Sequence, residues 1–170
     1  MNKKLIKILA VVAVIFSTSV LADDGFRFGL GVSGIASDSG DYESDTTVKV
    51  EAGYDFNQIV GLHTSYEQVD GNNIGLNFDG GSFKVGLDVG YKIQLGIIDL
   101  KPYAKAGINF TSFSIDNGFD TYTNNESTAY YGVGARGSFM MFYMDIAAES
   151  TDTVWGDKDS TGSVTFGLIF

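Results

Sequence analysis

The chain has no cysteine, a single proline, a single tryptophan and a single histidine among its 170 residues. Without cysteine no disulfide forms, even in an oxidising compartment, and no thiol-linked lipid anchor is attached. Long apolar runs are also missing. The longest, Ile8 to Phe16, is too short to cross a bilayer as a helix. Basic residues are scarce, at 11 against 21 acidic. A chain so poor in positive charge lacks the surface that phosphate backbones need, so nucleic acid is not expected as a partner. Glycine is plentiful at 22, but with so little proline the chain is neither collagen-like nor disordered, and its aromatic share of 14% argues for a packed or lipid-facing structure. Gly29-x-Gly31 opens no helix and is no dinucleotide fingerprint, and Asn125-Glu126-Ser127 is an incidental sequon.

The start of the chain has the form of an export signal. Lys3, Lys4 and Lys7 precede the short apolar run, and Val20-Leu21-Ala22 supplies the small-residue cleavage pattern. Residues 1–22 are therefore expected to be removed, leaving one domain over 23–170. That mature chain holds 8 basic and 21 acidic residues, a formal charge of −13.

The rest of the chain alternates with a period of two. Phe83, Val85, Leu87, Val89, Tyr91 and Ile93 are interleaved with Lys84, Gly86, Asp88, Gly90 and Lys92. Successive strand side chains point to opposite faces, so one face is oily and the other charged or bare. The same split divides residues 26–33, 47–56, 59–68, 83–93, 100–110, 129–139, 142–149 and 163–170 into eight predicted strands, and no residue of the apolar parity carries a formal charge. Connections at 36–46, 70–82, 114–128 and 151–162 are long and polar, whereas Asn57-Gln58 and Met140-Met141 are tight and 94–99 is of modest length. Short turns at one end and long loops at the other, on strands with one apolar face, predict an all-β fold. The expected form is a closed, eight-stranded, antiparallel, up-and-down transmembrane barrel. Pro102 is tolerated because it falls near a strand start. With both termini on the short-turn side, Phe26, Phe28, Tyr54, Phe56, Tyr91, Phe139, Phe142 and Phe170 form one aromatic girdle. Tyr66, Phe83, Phe110 and Tyr131 form the other.

In architecture the whole mature chain resembles the small outer-membrane barrels of the OmpA-domain, OmpX and opacity-protein type. Lys101-Pro102-Tyr103-Ala104-Lys105-Ala106-Gly107 is similar to a strand common in that group, as is Tyr131-Gly132-Val133-Gly134-Ala135-Arg136. The ending Phe166, Leu168, Phe170 is similar to the signal read by the barrel-assembly machinery. The resemblance implies a bacterial outer-membrane location, both termini in the periplasm, contact with outer-membrane lipid and lipopolysaccharide, and a monomer. It further implies a structural or surface-interaction role (adhesion, envelope integrity or host contact) through the loops. No peptidoglycan-binding domain is expected after the barrel.

The inward parity carries Arg27, Lys49, Lys84, Lys92, Lys105 and Arg136 against Glu51, Asp55, Glu67, Asp88, Asp145 and Glu149. Charges survive burial only when paired, and an eight-stranded barrel is just wide enough for side chains to fill. These residues are expected to plug the lumen as an ion-paired network; a narrow ion path is the alternative. His63, Ser65 and Glu67 share the inward face in the spacing of a nucleophile beside its base, and lipid A deacylases are eight-stranded barrels that use a His-x-Ser pair. The triplet is nonetheless inward and near the periplasmic end, so no catalytic residue is assigned. The loop segments hold Asp38, Asp41, Glu43, Asp45, Asp70, Asp79, Asp116, Asp120, Glu126, Asp152, Asp157 and Asp159 against Lys158 alone. Such an acidic rim keeps loops soluble, and its oxygen ligands suit calcium or magnesium, but no metal site and no cofactor are assigned. Trp155 lies in the fourth loop as a partner contact or a packing residue. Periodicity alone does not say which face points inward, so a soluble calyx around a hydrophobic ligand also remains.

Overall fold

The computed structural model describes residues 25–36, 46–73, 76–116, 121–152 and 158–170. Eight long strands form the body: β1 Phe26–Ala36, β2 Thr46–Asp55, β3 Val60–Asn73, β4 Leu76–Gly90, β5 Ile98–Asp116, β6 Thr121–Phe139, β7 Phe142–Asp152 and β8 Lys158–Ile169. A two-residue extension, Ile93–Gln94, pairs with Leu100 and Asp99 below β4. Every strand is antiparallel to its sequence neighbour, and β8 returns to pair with β1, which closes the barrel. The seam runs from Arg27 opposite Ile169 to Ala36 opposite Ser160, and Phe170 donates its amide to the carbonyl of Phe26 at 2.8 Å. Closure pairs backbone groups all the way round, as a strand in hydrocarbon requires.

The faces settle the question that periodicity left open. Along β2 the buried side chains are Thr47, Lys49, Glu51 and Asp55, with Gly53 among them. Outward positions such as Leu30, Val48, Leu87, Val89, Val133, Ile146 and Phe166 are exposed. The polar parity is inside and the apolar parity outside, which is the reverse of a calyx with an oily interior.

The short turns form where the tight connections were read. At β2–β3 the Asn57 side-chain oxygen accepts from the amides of Ile59 and Val60, both at 2.8 Å, a local bond that asparagine makes readily. At β6–β7 Met140 takes a φ of 53°, the left-handed region that a two-residue hairpin needs. At β4–β5 Gly96, with φ 80°, lets the amide of Leu95 reach the carbonyl of Ile98 at 2.8 Å.

Strand ends at the opposite rim differ from the sequence reading. The segment read as a loop over 70–82 belongs almost wholly to the β3–β4 hairpin, in register to Asn73 opposite Leu76. The segment read as a loop over 114–128 is likewise mostly strand, paired to Asp116 opposite Thr121. Thus Asp70, Asp79, Asp116, Glu126, Asp152 and Asp159 are strand residues. Beyond the apolar band the positions that continue the outward parity are Asp70 and Asn72 on β3 and Asn77, Asp79 and Gly81 on β4, so the apolar row ends while backbone pairing continues. Asp38, Asp41, Glu43, Asp45, Asp120, Asp157, Trp155 and the whole of 1–22 lie outside the described residues.

Candidate functional site

The lumen is built from residues that each strand turns inward, and the buried charges divide into two groups by direct contact. The first lies toward the short turns. Arg27 on β1 reaches Asp55 on β2 with Nη1 at 2.9 Å and Asp88 on β4 with Nη2 at 2.8 Å. Lys101 on β5 bridges the same two carboxylates, with Nζ 2.8 Å from each. Arg136 on β6 bonds Asp145 on β7 through Nε at 3.1 Å and lies 3.5 Å from Asp55 and 3.8 Å from Asp88. The Tyr103 hydroxyl donates to Asp145 at 2.6 Å. Lys49 holds Glu51 at 3.0 Å, and Glu51 lies 4.0 Å from Arg27 Nε, which joins this pair to the group.

The second group lies higher. Lys84 on β4 sits between Glu67, with both oxygens at 3.3 Å, and Glu149 at 2.9 Å. Lys105 on β5 takes the other oxygen of Glu149. Arg27, Lys49, Lys101 and Arg136 balance Glu51, Asp55, Asp88 and Asp145 in one group, and Lys84 and Lys105 balance Glu67 and Glu149 in the other. Each group is neutral in itself. Burying an unpaired ion costs several kcal/mol, so local balance is the condition for keeping this many charges out of water.

Glycines make room for the long side chains. A Cβ at Gly53 would meet Arg27 Cζ at 2.5 Å, and one at Gly134 would meet the Tyr103 hydroxyl at 2.5 Å. At the turn-end mouth Gly25, Asp55, Lys92, Asp99, Lys101, Arg136, Ser138 and Ile169 line a cavity of about 20 Å³. That is room for about one water molecule.

Arg27, Lys49, Glu51, Asp55, Glu67, Lys84, Asp88, Lys105, Arg136, Asp145 and Glu149 are buried in the lumen. Lys92 is not among them: β4 ends at Gly90, and Lys92 lies half-buried at the mouth. Its expected place is taken by Lys101, which sequence reasoning passed over. The signal was present, since Lys101 lies inside the predicted strand 100–110, two residues before the inward Tyr103. Tyr130 was also missed; it is buried, and its hydroxyl pairs with Nε2 of His63. His63 Nδ1 has no partner, so neither ring nitrogen engages Ser65, and the expected nucleophile–base spacing does not become a bond. Phe166 is exposed on the outer face and Leu168 is half-buried, opposite Phe28 and Phe142.

A closed antiparallel barrel with an apolar exterior and a charged interior defines an integral outer-membrane barrel. The chain belongs to the outer membrane protein beta-barrel domain family, whose model matches residues 8–169. It is similar in fold to Ail, the attachment invasion locus protein of Yersinia pestis, solved in complex with the heparin analogue sucrose octasulfate. That likeness has a TM-score of 0.63 and 15% identity over 86% of this chain and 97% of the other. It is also similar to the N-terminal barrel domain of Pseudomonas aeruginosa OprF, with TM-score 0.62 and 15% identity over 85% and 97%. Neisserial surface protein A gives TM-score 0.58 and 16% identity over 88% and 98%. No curated protein matches the sequence.

Proposed function

We propose that this outer-membrane barrel is a closed scaffold whose work is done at its outer rim, by surface contact or envelope reinforcement through acidic loops. The observation that carries the reading is the lumen. Six buried cations and six buried carboxylates cross it in two self-neutral groups. They act as a plug that fills the lumen between the described strands. Both termini and the short turns face the periplasm in this reading, the mature chain starts after Ala22, and Phe166, Leu168 and Phe170 carry the signal for the assembly machinery. The barrel works as a monomer embedded in outer-membrane lipid and lipopolysaccharide, without catalysis, cofactor or nucleic acid.

The Ail structure holds a polysulfated ligand. Here the rim segments carry twelve acidic residues against Lys158, so a surface or host ligand of this chain presents positive rather than negative groups. Adherence of expressing cells to host cells or matrix, compared between the intact protein and forms lacking residues 37–45 and 153–157, tests the reading. Loss of adherence with the barrel still assembled supports it. Unchanged adherence and envelope sensitivity, or unitary conductance in a planar bilayer, would overturn it in favour of a narrow channel.

A further inference from the structure

The three short turns are unlike one another. The β2–β3 turn, Phe56-Asn57-Gln58-Ile59, carries polar Asn57 and Gln58 at its tip between exposed Phe56 and Ile59. The β4–β5 turn reads Ile93-Gln94-Leu95-Gly96-Ile97-Ile98, with Leu95 61% and Ile97 76% exposed. The β6–β7 turn is Met140-Met141, with Met140 81% exposed. These two apolar turns are neighbours, because Ile98 pairs with Phe139 and β5 lies beside β6. Together they extend the oily surface past the aromatic residues Tyr91, Phe139 and Phe142 that mark the turn-side girdle. A patch of this kind left in water is a liability in a soluble environment.

We propose that these two turns are immersed in the leaflet on the turn side of the membrane, so that the barrel is anchored more deeply along β4–β7 than along β2–β3. Two features select lipid over a protein partner. The patch is continuous with the lipid-facing surface: Ile93 pairs with Leu100, and Ile98 and Leu100 continue the outward row of Pro102, Ala104 and Ala106. The hairpin is also two-sided. Lys92 and Asp99 face the small mouth cavity while Ile93, Ile98 and Leu100 face away from the barrel. A protein capping the mouth would meet the polar side; hydrocarbon meets the other. Aromatic residues sit at membrane–water boundaries, and aliphatic residues beyond them require a boundary displaced on this side. Naming the leaflet periplasmic rests on the orientation proposed above; the contact with lipid does not.

The absence of cysteine allows a clean test. Ile97→Cys, Met140→Cys and Gln58→Cys variants of the mature chain are labelled with nitrobenzoxadiazole and refolded into phosphatidylethanolamine–phosphatidylglycerol vesicles. Folding of each is checked by the heat-dependent gel shift. At 97 and 140 the emission is expected to shift to the blue, with severalfold stronger quenching by doxyl-labelled phospholipid and weaker quenching by iodide than at 58. Iodide quenching at 97 and 140 equal to that at 58 would place the turns in water and overturn the proposal. Protection from both quenchers would mean that protein, including a second copy, covers them, and overturns it equally. Orientation is read separately: an impermeant maleimide should reach Gln58→Cys in cells only after the outer membrane is permeabilised. Reaction in intact cells would sink the orientation while leaving lipid contact standing.

Discussion

Arg27 and Gly53 face each other across the β1–β2 ladder, and the guanidinium fills the space that a side chain on Gly53 would need. The glycine is a socket for the arginine that organises the lower ion group. Gly53→Ala is expected to destabilise the barrel by about 1–3 kcal/mol, the range for overfilling a packed interior. Gly34→Ala is the control: nothing lies within 4 Å of its added carbon, and it should change stability by less than about 0.5 kcal/mol. Urea unfolding of the refolded barrel in detergent micelles reads both.

Leu87 and Asp88 are chain neighbours on opposite faces, one exposed to lipid and the other fully buried. Leu87→Arg places a charge on the lipid side and should cost about 2–4 kcal/mol near mid-membrane. Asp88→Ala removes the carboxylate shared by Arg27, Lys101 and Arg136 and should cost about 3–5 kcal/mol, the range for breaking a buried pair. The separating measurement is reconstitution: the first variant should refold better in micelles than in bilayers, the second poorly in both.

Alternation made the barrel body legible in the sequence. Val85, Leu87 and Val89 read as lipid-facing because hydrocarbon on one side and a wet or ion-paired lumen on the other impose period two. The same physics hid the hairpin tops, where the parity that is apolar below continues as Asp70, Asn72, Asn77 and Asp79 and the apolar row ends. Individual lumen residues were legible by parity, Lys101 among them, since it lies within 100–110 on the parity of Tyr103 and Lys105. Which cation meets which carboxylate was not legible. Arg27 and Asp88 are 61 residues apart, and their meeting depends on how the closed barrel staggers its strands.

In the upper group, Glu149 serves both Lys84 and Lys105. Glu149→Gln leaves two ammonium groups against one carboxylate, so Lys105→Met added to it should recover part of the loss. A four-variant cycle is expected to give a coupling of about 0.5–3 kcal/mol. Strict additivity would mean that the contact carries no energy.

Ser65→Ala should leave the lipid A acylation pattern of expressing cells unchanged by mass spectrometry. The base that Ser65 would need is bonded instead to Tyr130. Loss of an acyl chain on expression, restored by the substitution, would establish an enzyme.

Deleting Phe170 removes an amide that closes the seam against Phe26. Export should continue while the heat-shifted form on a detergent gel falls sharply.

The ion pairs across the lumen also have a temporal meaning. Lys84 meets Glu149 across 65 residues of chain, and His63 meets Tyr130 across 67. No partial barrel holds such pairs, because the strands that carry them are not yet on opposite walls. During assembly these charges stay hydrated, and the growing sheet has a wet concave side until the first strand finds the last. Contacts of such sequence separation are slow to form, because the entropy of bringing distant strands together is met before the contact rewards it.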